Sequence, residues 1–138
     1  MQAALAVRQI PRMPDILMKK KRILEYYQAG LSDLESVSLL KQKDWAQSSN
    51  WVVPIKVNPK RKTVVILREE LLKHGIETRP LFHGMHAQPI YSTFEFTQKR
   101  RFPVSEEATN IGLILPSGLG TTEDQLEYVV SRLRLLLE

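Results

Sequence analysis

Gly75-Ile76-Glu77-Thr78-Arg79-Pro80-Leu81-Phe82-His83-Gly84-Met85-His86-Ala87-Gln88-Pro89-Ile90-Tyr91 is the stretch around which the rest of the chain is organised. Its 17 residues hold two of the three histidines, two prolines, two glycines, an arginine and two aromatics. Gly75 suits the left-handed residue that ends a helix. Ile76 to Phe82 reads as a strand, with Pro80 restricting it to an edge or a strand end. His83 to Tyr91 mixes turn formers with rings and imidazoles, the composition of a loop that presents side chains to a ligand from a rigid support.

Working upstream, Val64, Leu67, Leu71 and Leu72 share one helical face that Gly75 closes. The β-branched Val64-Val65-Ile66 run argues the other way, for a strand. Helix is the better fit over Thr63 to His74. Trp51, Val53, Ile55 and Val57 alternate with Val52, Pro54 and Lys56, the period of a half-buried strand. Asn58 to Lys62 is a charged turn. Ser32 to Asn50 carries no periodicity that resolves it further. Before it, Ile16, Leu17, Ile23, Leu24, Tyr27 and Leu31 recur at helical spacing, with Lys19 to Arg22 mostly on the other face. Residues 1 to about 13 have high helix propensity but no N-cap, and Pro11 and Pro14 predict a kink or break.

Downstream, Pro103 opens a helix to Asn110, with Glu106 and Glu107 near its positive end. Gly112 to Leu115 is a short strand stopped by Pro116, and Ser117-Gly118-Leu119-Gly120 is a loop. Thr122 and Gln125 have capping-box spacing. Leu126, Val129, Val130, Leu133 and Leu137 then mark an amphipathic helix. The succession implies an α/β fold: a small sheet of about three strands with packed helices. Residues 1–31 form a helical region, interrupted near Pro11 and Pro14, ahead of a small α/β portion, 32–138.

The chain has 138 residues, 43% hydrophobic and 25% charged, the balance of an ordinary globular domain. No apolar run approaches the roughly 18 residues of a membrane span, and the N-terminal segment lacks the pattern of a secretory leader. The absence of cysteine excludes thiolate metal sites and suits the cytoplasm. The net charge of +5 admits an anionic partner without naming one.

His83 and His86 have no cysteine pair or HExxH to complete a metal set, so no metal ligands are assigned. The basic runs at 19–22 and 60–62 admit a small interaction module for an anionic partner such as nucleic acid. They lack the interleaved aromatics of a single-strand binder, and short basic runs are commonly solvated faces, so nucleic acid is the lesser reading. Arg79, Phe82, His83, His86 and Tyr91 form a more coherent set. A guanidinium fork grips phosphate, rings stack on a base or sugar, and imidazoles donate to hydroxyls. Phe82 and Tyr91 also fit as core anchors of an ordered loop.

Several segments occur in the order of one family. They are Gln2-Ala3-Ala4-Leu5, Lys20-Lys21-Arg22-Ile23 with Tyr27, Gly75-Ile76-Glu77-Thr78-Arg79-Pro80, and Met85-His86-Ala87-Gln88-Pro89-Ile90-Tyr91. Phe102-Pro103-Val104-Ser105-Glu106-Glu107-Ala108 and Leu115-Pro116-Ser117-Gly118 follow. Together they resemble the C-terminal part of the DegT/DnrJ-type nucleotide-sugar aminotransferases, with wording nearest the perosamine-synthetase branch. The resemblance implies the small domain of the aspartate-aminotransferase fold, and pyridoxal phosphate as the cofactor of the full-length family. It implies a nucleoside-diphosphate keto-sugar as substrate and a homodimer. Arg79, Phe82, His83, His86 and Tyr91 are the implied substrate contacts. The family's cofactor lysine lies in a large upstream domain, and an asparagine precedes the position of Met1. The chain is therefore expected to be a small domain apart from its catalytic partner, with no cofactor of its own and no catalytic residue, and inactive alone.

Overall fold

Thr63 decides the ambiguous run that follows it. Its hydroxyl accepts a hydrogen bond from the Ile66 amide at 3.4 Å, satisfying a donor that a helix start leaves open. The β-branched residues are thereby drawn into a helix, Val64–Lys73. Gly75 ends it at φ +74°. The Gly75 amide donates to Leu72 O at 2.9 Å and the Ile76 amide to Leu71 O at 2.9 Å. That pair of bonds is a Schellman closure, accompanied by the apolar contact it favours, since Ile76 and Leu71 are both buried.

The computed structural model describes residues 1–138, with the side chains of all but Phe96 and Gln98. In chain order the helices are α1 (Gln2–Gln9), α2 (Met13–Leu31), α3 (Val64–Lys73), α4 (Glu95–Lys99), α5 (Pro103–Ile111) and α6 (Glu123–Leu137). The strands are β1 (Val37–Leu39), β2 (Val53–Val57), β3 (Arg79–Pro80) and β4 (Gly112–Leu115). Pro11 and Pro14 produce a single 3-10 turn, Ile10–Arg12, between α1 and α2. Each proline falls near the start of its element, where its missing N–H costs little.

The sheet runs β1-β2-β4-β3, and every neighbouring pair is antiparallel. Val37 faces Val57, Ile55 faces Leu113, and Arg79 faces Ile114. β4 is buried along its length, whereas β2 alternates as its sequence predicts. Val53, Ile55, Val57, Leu113 and Leu115 join Tyr27 and Leu31 of α2, Leu67 and Leu71 of α3, and Leu133 of α6 in one core. α5 packs on β2 and β4, where Glu107 lies 3.7 Å from Lys56 Nζ.

Two side chains tie α2 into this core. The Tyr27 hydroxyl donates to Pro116 O at 2.8 Å, which satisfies it, while burial pushes the phenol's pKa well above its ordinary value. Arg134 of α6 grips Asp33 with two bonds of 2.7 Å and donates to Gly30 O at 2.9 Å. The guanidinium's hydrogen bonds hold the Asp33 carboxyl at about 2, below the usual 3.8. The expected capping box is formed: Gln125 N donates to Thr122 Oγ1, and the Gln125 carboxamide oxygen accepts from Thr122 N.

Four details differ from the sequence expectation. β1 lies within the segment left unresolved at 32–50 and makes a fourth strand. The strand expected over Ile76 to Phe82 pairs only at Arg79 and Pro80. Trp51 stands just before β2 rather than in it. The short α4, Glu95–Lys99, follows the loop.

Candidate functional site

β3 is an edge strand, where Pro80, which cannot donate to a ladder, is tolerated; Leu81 still donates to Gly112 O at 3.2 Å before the chain runs into the loop. Arg79 stays largely in solvent, its Nη2 3.2 Å from Glu77 Oε1. The Thr109 hydroxyl of α5 lies 3.2 Å from Phe82 O and 3.0 Å from Ser105 O. It shares one proton between them and fixes the Phe82 backbone. The Phe82 ring is 62% exposed. It lies nearly parallel to the Trp51 indole, with centroids 5.9 Å apart and planes 8° from each other. His83 is exposed.

After His83 the loop turns inward. A side chain at Gly84 would place its Cβ 2.4 Å from Ser105 Oγ and 2.6 Å from the His86 ring, so this position accepts only glycine without displacement. His86 stacks on Phe102 at 4.4 Å, and its Nε2 lies 3.6 Å from Glu106 Oε1. Only 15% of the imidazole side chain is exposed. Tyr91 meets Phe94 edge to face at 5.6 Å, and its carbonyl accepts from Thr97 Oγ1 at 2.7 Å. The loop therefore brings Arg79, Phe82 and His83 to the surface, and sets His86 and Tyr91 into packed positions.

Trp51 is the site residue that sequence reasoning missed, because its apolar alternation suggested a strand. The available signal was Asn50, a residue that tolerates the left-handed conformation it adopts at φ 51°. Lys20, expected on the polar face of α2, instead turns inward. Its ammonium donates to Trp51 O at 3.0 Å and to Ser117 O, and burial lowers its pKa.

Among the described residues no group of three metal-ligating side chains gathers. His74 caps α3, and its carbonyl accepts from the Tyr128 hydroxyl at 3.1 Å. In the basic runs, Lys21 lies 3.6 Å from Glu25 and Lys62 2.5 Å from Glu70, which neutralises part of each. The half-buried lysines are all engaged, Lys20 by two carbonyls, Lys56 by Glu107 and Lys62 by Glu70. The pyridoxal phosphate implied by the resemblance needs an unengaged amine beside a phosphate cradle, and each of these three amines already has a partner. Among the described residues no helix is long and apolar enough to cross a membrane.

The sequence pattern of the DegT/DnrJ/EryC1/StrS aminotransferase family matches residues 1–134. Over 131 residues the chain is 28% identical to GDP-perosamine synthase of Vibrio cholerae, covering 92% of this chain and 34% of that protein. The GDP-perosamine synthase of Escherichia coli O157:H7 is also 28% identical, with 92% and 33% covered. The crystal structure of DesI in the presence of its TDP-sugar product superimposes with a TM-score of 0.85 at 22% identity. It covers 96% of this chain and 34% of DesI. The chain thus spans about a third of the length of the relatives it matches, and the structural likeness establishes the fold.

Proposed function

Because the chain belongs to the DegT/DnrJ/EryC1/StrS aminotransferase family, we propose that it is the C-terminal small domain of a pyridoxal-phosphate-dependent sugar aminotransferase. The substrate is a nucleoside-diphosphate-linked keto-sugar, of the 4-keto-6-deoxy kind that leads to perosamine for surface polysaccharide in the cytoplasm. The observation that carries this reading is the exposed front of the loop, Arg79, Phe82 and His83, standing on a rigid sheet edge within this fold.

Arg79 supplies a planar cation for the diphosphate. Phe82 offers a ring face, and His83 donates to sugar hydroxyls. His86 and Tyr91 complete the set from the packed half, each with the part of its ring that stays accessible. When bound to the complete enzyme, pyridoxal phosphate supplies the amino-transfer chemistry; this chain's residues bind and orient the sugar nucleotide. The apolar side chains of α1 and of the turn that follows it support a second part of the proposal. Leu5, Val7 and Ile10 are 64%, 68% and 64% exposed, more than a linking helix leaves open without a partner. Residues 1–31 then join the small domain, 32–138, to the large cofactor-binding domain, in a homodimer.

Calorimetric titration of the chain with a GDP-linked 4-keto-6-deoxy sugar tests the reading. Saturable heat is expected, and Arg79→Ala weakens binding by about 1.5–3 kcal/mol, as for hydrogen bonds to a charged group. Binding that is absent, or indifferent to Arg79, overturns it.

A further inference from the structure

Trp51 and Phe82 are both 62% exposed, an unusual state for two large rings that lie parallel on each other. Their backbones are not loose. Lys20 of α2 holds the Trp51 carbonyl at 3.0 Å, and Thr109 of α5 reaches the Phe82 carbonyl at 3.2 Å. Asn50, held left-handed at φ 51°, turns Trp51 outward, and its amide is fixed by Ser48 Oγ at 3.1 Å. Two helices and a left-handed turn thus pin the rings' attachment points while leaving the rings in water. Backbone conformations of this kind persist where the surroundings over-determine them, and they cluster at ligand sites.

The charge beside this pair is also incomplete. An ammonium has three donors, and Lys20 gives two to carbonyls, of Trp51 and Ser117. Among the described residues no carboxylate lies within ion-pair distance of it, although Lys21, next in the chain, has Glu25. A partly desolvated cation with a donor to spare favours an anion as its third partner.

We propose that Trp51, Phe82 and Lys20 form a nucleotide subsite, in which a planar base packs against the exposed rings of both Trp51 and Phe82 and a phosphate oxygen accepts from the Lys20 ammonium. The proposal rests on the sugar-nucleotide reading above and adds to it where the nucleotide half sits. Stacking is tolerant of base identity, since every base has a π face. The subsite therefore takes nucleoside diphosphates as a class, and recognition of the sugar stays with the loop.

The chain has two tryptophans, so a Trp45→Phe chain reports Trp51 alone. Its indole fluorescence, excited at the red edge to avoid absorption by the base, is titrated with GDP, guanosine and inorganic pyrophosphate. Saturable quenching by GDP, weaker quenching by guanosine and none by pyrophosphate is the expected pattern. Phe82→Leu should weaken GDP binding about 5- to 150-fold, the range for one lost base–aromatic stack. Lys20→Gln should weaken GDP about tenfold, one charge-assisted contact, and leave guanosine unchanged, while Lys20→Arg restores GDP. Phe82 is exposed, so its replacement reads binding even if the Lys20 variants fold poorly.

Equal quenching by GDP in the parent and in Phe82→Leu overturns the subsite, as does quenching by pyrophosphate alone. If GDP binds as expected but a GDP-linked keto-sugar binds no tighter, the subsite stands and the keto-sugar reading fails. If the keto-sugar nucleotide binds without moving Trp51, the subsite fails and the broader reading survives.

Discussion

Arg79 and His86 belong to the same loop and both carry groups suited to a sugar nucleotide, yet their surroundings are opposite. Arg79 stands at the sheet edge with its side chain 76% exposed. His86 is stacked on Phe102, beside Glu106, with 15% exposed. The divide falls at Gly84, where a Cβ would come within 2.4 Å of Ser105 Oγ and 2.6 Å of the His86 ring, so any side chain must push these apart. The front half is presented by β3, whereas in the back half His86 is packed by Phe102 and Glu106 and Tyr91 by Phe94 and Thr97. A binding loop needs both: groups free to meet a ligand, and a base whose ordering cost is met by packing before the ligand arrives.

Variants at the two halves can break this contrast. The largest effect is expected at the divide itself. Gly84→Val forces Ser105 and the His86 ring apart and should cost about 1–3 kcal/mol, as overpacking does elsewhere. Urea unfolding measures it, and an unchanged midpoint would mean the back half is not clamped. Next is His86→Ala, which loses an aromatic contact and should destabilise by about 0.5–1.5 kcal/mol. His83→Ala, three residues away, should stay within about 0.5 kcal/mol of the parent. Equal losses from the two changes would erase the distinction between the halves.

A smaller effect is expected from the clamp remote from the loop. Asp33 has its pKa lowered to about 2 from 3.8 by its hydrogen bonds with Arg134. Its contribution is thus fully present above about pH 4 and is lost as pH falls through about 2. Asp33→Asn should be less stable than the parent at pH 7, with the gap closing toward pH 2 in thermal melts. A gap that widened on acidification would contradict the assignment. The smallest change in stability belongs to Arg79→Ala, within about 0.5 kcal/mol as for an exposed side chain, despite its large expected effect on binding.

Much of the scaffold was legible because its signals are local. The Thr122–Gln125 box, the stop at Gly75 and the alternation of β2 each depend on neighbours within a few residues, and each is formed as expected. At Thr63 the cap prevailed over the β propensity of Val64 to Ile66, a contest that periodicity already favoured for helix. What escaped was set by distant contacts. β1 has three residues and exists because Val37 and Leu39 pair with Val57 and Ile55. Trp51 was placed in a strand because its alternation is apolar, but Phe82, 31 residues away, gives the ring its neighbour. The sequence named the candidate residues at 79, 82, 83, 86 and 91 without distinguishing them, since which of them is packed depends on side-chain partners, Phe102 and Glu106 for His86 and Phe94 for Tyr91.

Amide and side-chain chemical-shift mapping of the isotope-labelled chain against a GDP-linked 4-keto-6-deoxy sugar most directly tests whether the loop's front half meets the substrate. Saturable shifts are expected at Arg79, Phe82 and His83 and, where the nucleotide half sits, at Trp51 and Lys20, with smaller movements at His86 and Tyr91 and none with the free sugar. Shifts confined to the basic turn at Lys60 and Arg61, or equal shifts with the free sugar, would contradict this assignment.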